Sequence, residues 1–500
     1  MEAKDAQRSS ARPKLGALIA EAIETDIIGA GWPVGSVLAT EAELVTRFGV
    51  SRATVREAVG QLERRGLAAM KAGKNGGLVV TAPARDATIR ALSTYMELAA
   101  ASVENILRVR LLLEQQAALL ASERITDAEV VALRAQAERL HHRTGRIEED
   151  AQAHHDIRRL IATASRNPIL SLFIEALSVS ALDVIFTQVD RSDTVRDAIE
   201  RASAIKARLV EAIISVDRYE AQRLIREDVE IQIAGYRGLK LGNPATVAPD
   251  WSGGGRKLPQ RLAMQISQRI LIERLAPGDH LGSEPELLKA LGVGRSALRE
   301  ALRMLESYSV VRMRRGFGGG LTVGTPDPGP TIASAVRFLR SMGAEWRDLF
   351  EVREALELGA VRSAARLASP AQLAGLRAAY DAETALPPGE NPVPLLTDVH
   401  KRISSTGGNP ILELFTCVVI DTTAASYSGP PSEGVVRLVK QSHRAIIEAI
   451  IDHDESLARR RMFNHIQLLG RIGHDPSRIF GDAHGLATGD DARTGIHGHG

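Results

Sequence analysis

The chain has 500 residues, 44% of them apolar and 25% charged, with 63 Lys plus Arg against 61 Asp plus Glu, which bounds it as a globular chain of several domains, roughly three by length alone. Cys417 is the only cysteine, which excludes an intramolecular disulfide and points to a reducing compartment, the thiol reading as a small buried hydrophobe. No stretch reaches the ~18 apolar residues of a membrane span and the first residues lack the apolar core of a signal peptide, so a soluble cytoplasmic protein with no membrane partner is expected.

Residues 1–13 are polar and read as a disordered tail. From Lys14, Leu18, Ile19, Ala22, Ile23 and Ile27 recur at helical spacing until Gly29, Gly31 and Pro33 stop the helix. Glu43 to Leu62 then reads as two helices around a tight turn. Leu44, Val45 and Phe48 share one face, Gly49 supplies the positive φ that ends the first helix, and Ser51 can cap the second. Val55, Val59 and Leu62 form the second helix's apolar stripe, which turns Arg52 and Arg56 to water. Such a helix-turn-helix presents its second helix, N-terminus first, to the major groove. Alternating β-formers on either side of Gly73-Lys74-Asn75-Gly76-Gly77 predict a β-wing whose basic tip can lie beside the duplex.

Residues 85–238 are helical in pattern almost throughout, with the single proline Pro168, and are long enough for about six helices in an α-helical bundle. Residues 239–257, rich in Gly and Pro, read as a flexible linker of roughly 20 residues with an r.m.s. span of about 25 Å. The whole pattern then recurs. Arg52 and Arg295, Gly73 and Gly316, Leu78 and Leu321, and Arg110 and Arg353 each stand 243 positions apart, a period that means duplication of whole domains. In the second copy Leu298, Leu302 and Leu305 point inward and Arg295, Arg299 and Arg303 outward. Residues 256–326 carry 12 Lys plus Arg against 6 Asp plus Glu, a local +6, whereas residues 1–84 carry 11 against 9, or +2. Phosphate binding draws on local positive charge, so the second copy is the better electrostatic candidate. Residues 327–473 repeat the helical bundle, and residues 474–500, rich in Gly, Asp and His, read as a disordered tail whose His484, His497 and His499 can chelate metal adventitiously.

These residues resemble the GntR superfamily of bacterial transcription factors, in the FadR-like branch with a helical FCD effector domain. The likeness is carried by Gly49-Val50-Ser51-Arg52 with Val55-Arg56-Glu57-Ala58, by the wing glycines, and by Asn167-Pro168-Ile169-Leu170. It is carried again by Gly292-Val293-Gly294-Arg295, Leu298-Arg299-Glu300-Ala301 and Asn409-Pro410-Ile411-Leu412. It implies a mainly α fold: winged helix-turn-helix domains over residues 14–84 and 258–326, each followed by an all-α, FCD-like bundle over residues 85–238 and 327–473. It also implies a double-stranded DNA operator contacted by Ser51, Arg52, Thr54, Arg56, Lys74, Arg295, Ser296, Arg299 and Arg315. The bland reading of each arginine is a solvated helix surface. The family's Pro-Ser-Glu-Arg lead-in is altered to Ala39-Thr40-Glu41-Ala42 and Gly282-Ser283-Glu284-Pro285, so its phosphate-holding arginine is missing twice, and Gly294 replaces the serine cap. Members of the family pair as homodimers on palindromes. One polypeptide holding both readers implies an intramolecular pseudo-dimer on an imperfect palindrome, and leaves open whether two chains pair again.

Members with a metal site place an Asp and, four residues on, a His on one helix, then a His on each of two more. The resemblance carries His400, His443 and His465 onto those three histidine positions, with Leu396 where the Asp belongs and Asp398 half a turn out of phase. This implies a divalent transition metal, zinc- or nickel-like, in the second bundle only, with a small carboxylate effector completing its shell. In the first bundle the same positions are His154, Arg158, Lys206 and Asp228. Two cations cannot ligate a metal, so this set is either a salt-bridge cluster or a direct carboxylate site formed by Arg158 and Lys206. Arg110 and Arg353 sit where the family often orients an effector carboxylate, and each equally fits a helix-face ion pair with Glu114 or Glu357. The leading expectation is a ligand-responsive DNA-binding regulator and not an enzyme. The rivals are an interaction module that has lost DNA binding and a metalloenzyme using the three histidines to activate water.

Overall fold

The computed structural model describes residues 15–73, 76–98, 102–141, 147–188, 193–238, 258–314, 320–387, 389–426 and 431–474. Each half opens with a three-helix domain and a small sheet. In the first half these are α1 (Leu15–Gly29), α2 (Glu41–Phe48) and α3 (Arg52–Arg64) with β1 (Val37–Ala39), β2 (Ala68–Lys71) and β3 (Gly77–Val80). Thr40 caps α2, its backbone N–H donating to the Glu43 carboxylate at 2.7 Å, and Gly49 ends it at φ 62°, a left-handed conformation that costs glycine nothing. Ile19, Ile23, Leu44, Val55, Val59 and Leu62 close a core beneath the wing. The sheet order is β1-β3-β2, all antiparallel. The edge strand β1 went unforeseen because three residues are too few for a visible alternation.

The seven helices that follow are α4 (Arg85–Leu98), α5 (Val103–Arg124), α6 (Asp127–His141), α7 (Ile147–Ala164), α8 (Pro168–Gln188), α9 (Asp193–Ile214) and α10 (Arg218–Gly238). The sequence suggested about six, a number taken from the length of the region and an average helix rather than from individual breaks. The second half repeats the order: α11 (Leu258–Ile272), β4 (His280–Gly282), α12 (Glu284–Leu291), α13 (Arg295–Ser307), β5 (Val311–Arg314) and β6 (Gly320–Val323). Then come α14 (Gly329–Ser341), α15 (Trp346–Leu367), α16 (Pro370–Ala385), α17 (Val393–Thr406), α18 (Pro410–Ala425), α19 (Glu433–Ile451) and α20 (Glu455–His474). Asp454 precedes α20 and accepts from the Leu457 N–H at 2.9 Å, as a helix cap should.

The two bundles share one apolar core. Buried residues of α5 and α8 run without a break into those of α15 and α18, and the rings of Phe173 and Phe415 stack with centroids 4.3 Å apart. The helices approach so closely that a side chain at Gly359 would run into Leu112. Polar contacts across the seam obey a pseudo-two-fold. Asn167, capping α8 through its side-chain oxygen, donates its amide to Asp348 O at 2.9 Å, and Asn409, capping α18, donates to Asn105 O at 3.1 Å. The two receiving carbonyls, Asn105 and Asp348, stand 243 positions apart. The winged domains cross over: α11 of the second rests on α4 of the first half, with Leu98 inside its core, while Glu24 on α1 meets Arg337 of α14 at 3.7 Å.

Candidate DNA-reading helices and metal centre

On α3, Ser51, Arg52 and Arg56 are exposed and Thr54 is half-buried; on α13, Arg295, Ser296 and Arg299 are exposed. The apolar stripes hold these faces outward, since Val55, Ala58, Val59 and Leu62, and likewise Leu298, Ala301, Leu302 and Leu305, are buried. Ser51 accepts from the Thr54 N–H at 3.2 Å, whereas Gly294 leaves the start of α13 without a side-chain cap. Arg56 donates to Glu41 and Arg299 to Glu284, each at 3.0 Å, so the same restraint poses both arginines. Lys74 and Arg315 lie outside the described residues.

In the second bundle His400 on α17, His443 on α19 and His465 on α20 come together, 4%, 0% and 1% exposed. Their Nε2 atoms converge: those of His443 and His465 each lie 3.1 Å from that of His400. Every Nδ1 is engaged on the outer side. His400 Nδ1 meets Glu357, His443 Nδ1 meets Glu383 Oε2 at 2.7 Å, and His465 Nδ1 meets Ser442 Oγ at 2.7 Å. Ser442 gives its hydroxyl hydrogen to Val439 O at 2.7 Å, so it accepts from His465. With hydrogens on all three Nδ1, the Nε2 atoms present lone pairs to one another in a buried site, an arrangement that repels unless a cation stands between them. Burial lowers the pKa of His400 and of His465, favouring the neutral imidazoles that a metal requires. Burial alone would raise the Glu357 carboxyl, but Arg353 and His400 overcome it and hold it down at about 2. Arg353 donates to Glu357 at 2.6 Å, a buried bond rather than a solvated helix-face pair.

Leu396, at the expected Asp position, packs against the buried cluster of Val435, Val439, Leu469 and Ile472, and Asp398 accepts from Arg402 at 2.6 Å instead of facing the histidines. Arg353, Leu396, His400, Thr423 and His443 help line a pocket of about 50 Å³ beside the histidines. Sequence reasoning missed Glu383 and Ser442 and met Glu357 only as an ion-pair partner. A signal for Glu383 was there: it continues the buried stripe Leu376, Ala379 of α16, and a carboxylate in that register demands a partner.

The equivalent space of the first bundle is filled by charge. Lys206 meets Asp228 at 2.7 Å, Arg110 meets Glu114 at 2.9 Å, and Arg158 lies 3.4 Å from Glu114. Arg110 also donates to Gln232 at 2.6 Å, and His154 meets Ser203 at 3.0 Å. Burial and then the Arg158 guanidinium depress His154 to about 3. Burial alone would raise Asp228, but Lys206, Arg158 and Arg110 hold it below the ordinary carboxylate range. The carboxylates that these cations hold are thus the chain's own.

Comparison with known proteins accords with this duplicated plan. The family model "Bacterial regulatory proteins, gntR family" matches residues 15–77 and 258–320, and the FCD domain matches residues 105–230 and 348–468. The HTH-type transcriptional repressor NanR of Citrobacter rodentium is 30% identical over 226 residues, 44% of this chain and 86% of the relative. A putative L-lactate dehydrogenase operon regulatory protein of Escherichia coli is 28% identical over 230 residues, 42% of this chain and 86% of the relative. A solved GntR of Streptococcus agalactiae is similar at 24% identity and a TM-score of 0.35, covering 43% of this chain and 99% of that one. Curated relatives matched over 86% of their own length yet over less than half of this chain are what a tandem copy produces, and the chain belongs to the GntR family of DNA-binding bacterial regulators, with the family's DNA-binding and FCD effector domains each present twice.

Proposed function

We propose that one chain does the work of a dimer, laying α3 and α13 into two half-sites of an imperfect palindrome, with the joined bundles setting their pose. The observation that carries this reading is the single apolar core shared by both bundles about a pseudo-two-fold, which supplies within one polypeptide the interface that two-fold operators require. Ser51, Arg52, Thr54 and Arg56, with Arg295, Ser296 and Arg299, are the proposed contacts, and Lys74 and Arg315, outside the described residues, are proposed with them. Footprinting at one chain per operator should protect two half-sites about one helical turn apart; protection of a single half-site would overturn the pseudo-dimer.

The second bundle is the proposed sensor. His400, His443 and His465 fit a zinc- or nickel-like divalent ion, because three neutral imidazoles aim free lone pairs at one point with their outer nitrogens held. Bound there, the ion would offer an open position to a carboxylate. Arg353, beside the pocket, would hold that carboxylate's other oxygen, and the effector shifts DNA affinity only by binding the two poses unequally. Arg110, Arg158 and Lys206 are proposed as a salt-bridge cluster that closes the equivalent space of the first bundle, their charges met by Glu114 and Asp228 rather than by an effector. The full chain should retain one more equivalent of metal than its His443→Ala variant, which keeps the tail histidines. Equal metal in the two proteins would sink the metal reading, and unchanged effector response in Arg353→Ala would sink the role of that arginine.

A further inference from the structure

The two recognition helices agree at some exposed positions and differ at others, and the pattern of differences is not random. Arg52 pairs with Arg295 and Arg56 with Arg299 in the repeat, and the acceptors that pose the second pair, Glu41 and Glu284, are equivalent as well. Between these arginines stand Ala53 on α3 and Ser296 on α13, both exposed in the first turn. One turn on, Gly60 on α3 answers to Arg303 on α13, which is also exposed. Ser51, whose Oγ lies 2.9 Å from Thr54 Oγ1, has only Gly294 and Ala297 as counterparts.

We infer that the operator is directional and that the chain binds it in one orientation, a reading that rests on the pseudo-dimer proposed above. Arginines posed alike read alike, so the base pairs beneath Arg52 and Arg295, and beneath Arg56 and Arg299, are the same in both half-sites. A bidentate arginine favours guanine. The base pair between them differs. Ala53 offers a methyl alone, which suits the C5 methyl of thymine, while the Ser296 hydroxyl can donate to or accept from any base edge. Arg303 adds a phosphate contact that Gly60 cannot make, so the α13 half-site holds its backbone more strongly, in keeping with the +6 around it.

The test is selection of bound sequences from random duplex DNA with the full chain, then binding to the selected site and to its two perfect-palindrome derivatives. The selected site should be symmetric beneath the arginines and asymmetric at the one step between them. It should outbind the palindrome built from two α13 half-sites by roughly 5- to 150-fold, the usual effect of one mismatched pair. Ala53→Ser, an exposed and conservative change, should make that palindrome the preferred site, and Ser296→Ala should favour the opposite palindrome. A perfectly palindromic site from the natural chain, or two variants that select the natural sequence unchanged, overturns the inference while leaving the pseudo-dimer intact. Failure to enrich any sequence overturns the pseudo-dimer reading itself.

Discussion

Glu383 touches no proposed ligand of the metal except through His443, and its carboxylate is wholly buried. Groups of this kind fix the ring and raise its basicity, so Glu383→Gln should weaken zinc or nickel binding about 10- to 100-fold with little change in the metal-free fold. Competition with a chromophoric chelator reads that loss, and an unchanged affinity would remove Glu383 from the site. Lys206 shows the opposite economy. Its ammonium is the nearest countercharge to Asp228, both wholly buried, so Lys206→Met should cost about 3–5 kcal/mol in urea denaturation. His154 sets a pH dependence. Its folded pKa of about 3 lies below the ordinary 6.5, so the unfolded chain binds the proton first. The stability given by its neutral ring is fully present above about pH 6.5 and drains away as pH falls towards 3. With a chelator present, natural protein should lose on the order of 5 kcal/mol more across that window than His154→Gln; parallel curves would refute the assignment.

At the level of elements, the winged domains are held unequally. The second docks through apolar surface: Leu98 of α4 lies in its core, and Tyr95 and Tyr308 face each other with ring centroids 6.3 Å apart. The first docks through charge. Glu24 on α1 accepts from Arg65 at 2.8 Å and meets Arg337 of α14 at 3.7 Å, where its counterpart in α11 is the buried Ser267. Apolar contact is indifferent to ionic strength, whereas a partly exposed ion pair is worth up to about 1 kcal/mol and is screened by salt. Glu24→Gln, or raised salt, should therefore speed amide exchange in α1 by up to about fivefold and leave α11 unchanged. Equal response of the two helices would contradict unequal docking.

For the molecule as a whole, the shared core predicts that the bundles unfold together. Phe173→Ala removes one of two stacked rings at the seam and should cost about 3–5 kcal/mol, shifting one cooperative denaturant transition. Two separated transitions would show that each bundle is independently stable and that the seam contributes little. The crossing of the winged domains onto opposite bundles ties both readers to this seam, so a change of packing at the pocket behind α17 and α19 can reach either one.

Much of this was legible in the residues. Helix periods, the Ser51 cap, the left-handed Gly49 and the 243-residue echo are local or arithmetic properties, which spacing alone decides. The same holds for which arginines face water, because an apolar stripe forces the opposite face outward. What surrounds His400, His443 and His465 was not legible. Glu357, Glu383 and Ser442 come from three helices, and only the packing of α15, α16 and α19 against α17 and α20 aims them at the Nδ1 atoms. Nor could spacing reveal that Asn167 and Asn409 cap their own helices while reaching across the seam, or that each winged domain rests on the other half. Local preference writes the elements, whereas burial of one common apolar surface chooses their partners, and that choice exists only once the chain has closed on itself.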